Sequence, residues 1–391
     1  MKRLMGAAIA AGLTLLPVVP AAAQSTQNPA MNAPDQLAWQ LFIQANQRAG
    51  GTNSMFETWA SDTDTFKANP TFPAGPEVHA AQRPILPNAR RQVLQRAGQL
   101  LPALPPGAAH GALEESRRNK AAFDFIVSNN LFKRSGLRAA FGKTLSFPVD
   151  AIEVKANWVP VAQISDFTDG KVTAAQAPQL YHINSTSNGT QFALVSMHVI
   201  SKLVPNWTWA TFEHKDNPQR CDIIGCADTF GSTTPFVPPN PAANGYPDCT
   251  KTPALKAMLS AANIEPVYAN YCLKGSQVDF IDNTGLATRL GNSVAESGFV
   301  ETSSCMTCHS RSAWNQGGTM TSSFGFNDDG TGPLGPTQPA WYWTATGSPP
   351  LFEGMPGLTR IATSADFVWS IPFCAFDDTR QPPAASPCVG K

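Results

Sequence analysis

Ala151-Ile152-Glu153-Val154-Lys155-Ala156-Asn157-Trp158-Val159 alternates apolar and polar side chains, as a strand does. Two stretches downstream, 179–183 and 191–203, read the same way. They flank the turn-forming run Asn184-Ser185-Thr186-Ser187-Asn188-Gly189. Residues 206–212 continue the pattern, so a sheet is expected across roughly 150–215.

Upstream of the sheet the periods are helical. Leu37, Leu41 and Ala45 fall on one helical face behind Pro34, which suits a first helical turn, and Asn32 is a candidate cap. Residues 68–109 are rich in Pro and Ala and read as a surface wrap with one helix near 90–101. A mixed apolar and basic stretch, 113–130, reads as a further helix. Downstream, 221–250 is a Cys/Pro/Gly loop region and 252–262 a short helix. A helical stretch at 288–301 is followed by a Gly-rich segment at 317–340 and a compact tail. The chain therefore reads as α+β, with a mixed body at 24–285 and a second part at 286–391.

The first residues read as an address. Lys2 and Arg3 precede a short apolar run and the small-residue pattern Ala21-Ala22-Ala23, so residues 1–23 are expected to be a signal peptide. No later stretch approaches ~20 apolar residues, and no transmembrane segment is expected in the mature chain. The chain carries 28 basic and 28 acidic residues, with no basic block to suggest nucleic acid. Only 14% of residues are charged, against 34 Pro and 29 Gly, while 22 Phe and 9 Trp supply ample core material. This is the texture of a loop-rich exported protein, periplasmic or secreted, with a substantial core.

Chemistry concentrates at Cys305-Met306-Thr307-Cys308-His309, a C-x-x-C-H motif. Two residues between the cysteines place both sulfurs along one edge of a porphyrin, where each can form a thioether. The adjacent His then supplies the proximal iron nitrogen. The competing readings are a thiol redox pair, which wants a βαβ context, and half a zinc site, which wants a second close ligand pair. One motif implies one covalent haem c on Cys305, Cys308 and His309. The six remaining cysteines, 221, 226, 249, 272, 374 and 388, are an even number in an expected oxidising compartment. The simplest pairing is local: 221–226, 249–272 and 374–388.

On this motif, residues 303–373 resemble the monohaem c-type cytochromes. The resemblance implies a cytochrome c-like, mainly helical haem-binding part after the β-containing body. It also implies a Met in a Pro/Gly-flanked loop as second iron ligand. Gly354-Met355-Pro356-Gly357 fits, 46 residues beyond His309, with 364–371 as a closing helix. Met320, His198, His214 and His182 are the other candidates for that position, besides an open site. Less closely, Asn206-Trp207-Thr208-Trp209-Ala210-Thr211-Phe212-Glu213-His214 resembles a segment of large single-haem exported proteins of unassigned activity. Trp207 and Trp209, echoed by Trp341 and Trp343, are core residues or pocket lining, and Glu213 beside His214 is a candidate acid/base pair.

Function then divides three ways. Electron transfer through the haem, with a redox partner protein, is the leading expectation. A peroxidase- or oxygenase-like haem enzyme with an open distal site is the second, favoured by a body far larger than a carrier needs. A haem-based ligand sensor is the third.

Overall fold

The computed structural model describes residues 28–75, 83–84, 112–186, 188–240, 247, 249–321, 327, 332–345, 357–383 and 386–388. The expected signal peptide, the expected helix at 90–101 and Met355 lie outside the described residues.

An antiparallel sheet of eight strands organises the molecule. In chain order these are β1 (Ala60–Ser61), β2 (Arg83–Pro84), β3 (Leu113–Arg118), β4 (Ile152–Pro160), β5 (Ile183–Ser185), β6 (Gln191–Ser201), β7 (Thr208–His214) and β8 (Tyr271–Gln277). Their spatial order is β8-β7-β6-β4-β3-β1, with β2 also pairing β3 and β5 also pairing β6. The alternating stretch at 151–159 becomes β4, next to the sheet centre. Its register sets Lys155 opposite His198 of β6, and His198 opposite Thr211 of β7.

Period two gives the sheet two different faces. One carries Val154, Ala156, Met197, Val199, Phe212 and Leu273 into a core shared with the first long helix, α1 (Pro34–Ala45). Trp39 and Phe42 of α1 meet Phe212 at ring-centroid separations of 4.9 and 4.3 Å. The other face presents Lys155, His198, Trp209, Thr211, Glu213 and Gln277. It is covered as well: Thr211 and Glu213 are fully buried. The cover combines α2 (Lys120–Ser128) and α3 (Arg134–Ala140) with the segment after residue 286. Ile126, Leu137, Trp209, Cys305, Trp314 and Ile371 lie in one apolar cluster there.

Two sequence expectations shift in detail. Residues 113–130 divide into strand β3 and helix α2, with the Asn119 side chain accepting from the Ala122 N–H to cap the helix. Arg117 and Arg118 look like a solvated helix face but are buried in β3. Arg117 pairs with Glu115 at 2.5 Å; Arg118 pairs with Asp62 at 2.5 Å and Glu153 at 3.3 Å. At 179–183 the expected strand begins later, as Ile183–Ser185, behind a helical turn at Ala177–Leu180. The helix expected at 252–262 forms as α4 (Pro253–Ala261), capped by the Thr252 side chain.

The larger correction concerns the second part of the chain. The expectation of a cytochrome c-like, mainly helical part is not met. Among the described residues after 286, the α-helices are α5 (Cys305–Ser310) and α6 (Ser370–Cys374), with short 3-10 turns and two-stranded ladders between them. The α+β class stands, dominated by the sheet. Local chemistry explains the loss of helix. In 288–301 the Asn292 side chain accepts from the Val294 and Ala295 N–H groups, competing with helix formation, and Gly298 adopts φ +90°. In 364–371, Asp366 and Phe367 both take left-handed backbone, φ +49° and +73°, so helix starts only at Ser370.

The six cysteines outside the motif form the three local disulfides, Cys221–Cys226, Cys249–Cys272 and Cys374–Cys388.

Candidate functional site

The C-x-x-C-H motif begins where α5 begins, and the sheet positions it. The Ser304 hydroxyl caps the helix by accepting from the Thr307 N–H. Gln277, the last residue of β8, holds the residues on either side of Cys305, Ser304 and Met306. Its Oε1 accepts from the Met306 N–H at 3.1 Å, and its Nε2 donates to Ser304 Oγ at 2.9 Å. The Leu290 carbonyl accepts the Cys305 N–H at 3.1 Å and the Cys305 Sγ at 3.3 Å. On the far side, Thr307 Oγ1 donates to the Gly335 carbonyl at 2.8 Å. Cys305 and Met306 are buried, while Cys308 and His309 keep partial exposure. Neither motif cysteine is disulfide-bonded. Burial pushes the Cys305 thiol well above its usual range and the Cys308 thiol up to about 11, so both are protonated thiols at neutral pH.

His309 Nδ1 lies 2.8 Å from the Phe367 carbonyl oxygen. A carbonyl can only accept, so Nδ1 carries the proton and Nε2 keeps its lone pair. Burial, with the nearby Lys155 charge, brings the imidazole down to about 3, so it is neutral. The Trp209 ring packs against it with centroids 4.6 Å apart. Of the Trp-x-Trp pair, Trp209 thus reaches the motif. Trp207, at φ +60°, turns inward against Phe147.

The acceptor carbonyl belongs to a strained turn. Non-glycine residues cost of order 1–3 kcal/mol each at positive φ, and here Asp366 and Phe367 are consecutive. The turn is pinned by a buried ion pair, Lys202 Nζ to Asp366 Oδ1 at 2.6 Å. The other carboxylate oxygen accepts the Phe147 N–H at 2.8 Å. Lys202 also donates to the Pro205 carbonyl at 2.7 Å and lies over the Trp207 ring. Sequence reading did not find Lys202 or Asp366, because no spacing or motif marks them.

Beside the motif lies a polar cluster on the covered sheet face. Asn292 Oδ1 is committed to two backbone N–H groups, which aims Nδ2 at His198 Nε2, 2.9 Å, and Thr211 Oγ1, 3.2 Å. His198 Nε2 also lies 3.4 Å from Glu296 Oε2, so that nitrogen is engaged between the Asn292 amide and the carboxylate. Glu296 accepts the Asn292 N–H at 2.7 Å and faces Lys155 at 3.8 Å. Burial would raise the Glu296 carboxyl, but His198, Lys155 and that N–H hold it down at about 2. Burial would lower Lys155; Glu114 and Glu296 outweigh it and keep the ammonium charged.

The other histidine candidates sit elsewhere. His214 lies on the opposite sheet face from Glu213, since adjacent strand residues point apart, so the two form no acid/base pair. Its Nε2 meets the Leu180 carbonyl at 3.1 Å, its Nδ1 accepts the Asp216 N–H at 3.2 Å, and its ring stacks on Tyr181. Glu213 instead binds Ser293 N–H at 2.9 Å and Oγ at 2.5 Å. His182 is held between Glu57 at 3.1 Å and Glu265 at 2.7 Å. Met320 is half-buried in a bridge with Trp314.

The donor set suits a covalently held haem: two thiols on one short helix outside the disulfides, and a neutral imidazole whose Nε2 lone pair is left for a metal. Metal-binding histidines characteristically donate their second N–H to a carbonyl or carboxylate, as His309 does. No helix among the described residues is long and apolar enough to cross a membrane. Comparison with known proteins finds no matching family model, no matching curated protein and no matching solved structure.

Proposed function

We propose that this chain is an exported monohaem c-type cytochrome, periplasmic or secreted, that transfers electrons to or from a partner protein. Cys305 and Cys308 hold one haem through thioethers and His309 Nε2 is the proximal iron ligand. When bound, the haem supplies a one-electron Fe(II)/Fe(III) couple. The observation that carries the reading is the tautomer of His309: its proton is fixed on Nδ1 by the Phe367 carbonyl. Around it, Gln277 and Leu290 fix the helix that presents the thiols, and Trp209 packs against the imidazole and keeps water from that side. Met355, in its Pro/Gly-flanked stretch 46 residues beyond His309, is our candidate for a second residue that would hold the iron; both ring nitrogens of His182 and His214 are hydrogen-bonded and His198 Nε2 is engaged.

An enzyme reading draws on one further observation, the His198–Asn292–Glu296–Lys155 cluster next to the motif, which would serve an acid/base role. Protein purified from an export-competent, haem-maturing host decides between these readings. Haem is expected to survive denaturation and acidic acetone, and to be lost in Cys305→Ala/Cys308→Ala. Extraction of haem from the wild type by acidic acetone overturns the c-type reading. Carbon monoxide is expected to be refused by the ferrous wild type and admitted by Met355→Ala. Ready binding to the wild type favours the enzyme reading instead.

A further inference from the structure

We infer that the Lys202–Asp366 ion pair is a positioning clamp that holds the Phe367 carbonyl on the His309 Nδ1–H, and so sets the orientation and basicity of the imidazole. Four observations converge. Asp366 and Phe367 are successive non-glycine residues in left-handed backbone, a conformation that persists only where surrounding contacts over-determine it. Asp366 is nearly inaccessible, and each of its carboxylate oxygens has a partner: Lys202 Nζ on one, the Phe147 N–H on the other. Lys202 is equally buried, anchored in turn by the Pro205 carbonyl and the Trp207 ring, which itself stands at positive φ. The turn so held delivers its carbonyl to the one ring nitrogen that must be protonated if Nε2 is to bind a metal.

The coupling runs from Lys202, the residue after β6, through Asp366 to Phe367 and then to His309. It joins the sheet to the motif without touching either thiol. Loss of either charge frees the turn to relax toward ordinary backbone, carrying the carbonyl away from Nδ1. The imidazole then loses the acceptor that fixes its tautomer and raises its donor strength. A stronger donor favours the oxidised metal, so the intact clamp lowers a reduction potential set at Nε2. That last consequence rests on the function proposed above; the hydrogen bond itself does not.

The test uses the full chain as purified, its disulfides intact and any iron ferrous, labelled with nitrogen-15, whether or not it carries haem. The His309 ring proton is expected on Nδ1 in the wild type, exchanging slowly with solvent. In Lys202→Met and Asp366→Asn its exchange is expected to quicken at least tenfold, while Lys202→Arg, which keeps the charge, stays within twofold of wild type. Where haem is attached, the same two variants raise the midpoint potential and Lys202→Arg does not. Circular dichroism and the three disulfides report whether the variants fold. A wild-type ring proton on Nε2, or on Nδ1 with the exchange rate of free imidazole, overturns the clamp even if no variant folds. So does unchanged exchange in folded Lys202→Met and Asp366→Asn. Absence of covalent haem refutes the proposed function alone, and the exchange measurement still decides the clamp.

Discussion

At the residue scale, His182 shows how neighbours decide the charge of a buried group outside the motif. His182 is fully buried between the carboxylates of Glu57 and Glu265, with Tyr268 stacked on its ring at 5.3 Å. Burial alone would lower its pKa. The hydrogen bonds and charges of Glu265 and Glu57 outweigh that and raise it to about 9. The Glu57 carboxylate is itself fixed by the Ser54 N–H at 2.6 Å and by Asn184. A histidine whose folded pKa lies above its unfolded value, about 6.5, stabilises the fold fully below pH 6.5. That stabilisation is lost as pH rises from there through about 9. Its full size is at most about 3 kcal/mol. Urea unfolding of the wild type is therefore expected to weaken between pH 6 and pH 9.5 by up to that amount. His182→Gln is expected to be less stable at pH 6 and to lose most of this pH dependence. An unchanged slope in the variant would show that His182 is neutral in the folded chain.

At the element scale, what was legible in the sequence was whatever a period alone decides. The alternation at 151–159 and 191–203 gave β4 and β6, and the run behind Pro34 gave α1, because one face of each is apolar and buried. The C-x-x-C-H motif was legible from spacing, and the disulfides from nearness in sequence. The rest was hidden for physical reasons. Arg117 and Arg118 satisfy their charges inside the sheet, which composition reads as solvation. Asp366 and Phe367 look like ordinary helix residues, and tertiary contacts from Lys202 and Phe147 impose the turn. The α2–α3 connection shows the same limit. Gly136 of α3 lies against the Asn130 backbone so closely that an added Cβ would sit 1.8 Å from its carbonyl oxygen. Asn130 ends the turn at φ +57° and has little room to retreat. Gly136→Ala, which should help an isolated helix, is expected to destabilise the protein by roughly 1–3 kcal/mol or more through overpacking. Thermal or urea unfolding checks it; a neutral or stabilising result would mean that the two helices can shift apart.

At the scale of the whole molecule, the sheet separates the apolar cluster packed on α1 from the one around the motif, and the motif is built onto its polar face. That face buries charge, yet its groups are matched across the interface. Glu213 of β7 takes both donors of Ser293, Lys274 lies 3.4 Å from Glu213, and Gln277 holds the start of α5. The apolar cluster on the same side mixes Ile126, Leu137 and Trp209 with Cys305, Trp314 and Ile371. Neither set of partners keeps its environment without the other, because parting them would take both Ser293 donors from Glu213 and open the shared apolar cluster to water. Losing one partner of such a buried group typically costs about 1–3 kcal/mol, more for charges. The segment after 286 is therefore expected to open only with the sheet, in a single transition. Native-state hydrogen exchange provides the measurement. Amides of α5 and of β6 should reach the same opening free energy, equal to that for global unfolding, and fluorescence and far-ultraviolet dichroism should give coincident urea curves. Ser293→Ala, which deletes one of the donors to Glu213, should lower both sets of amides by similar amounts. Exchange of the α5 amides at markedly lower free energy than those of β6 would show instead that the motif-bearing segment is a separable unit docked on the sheet.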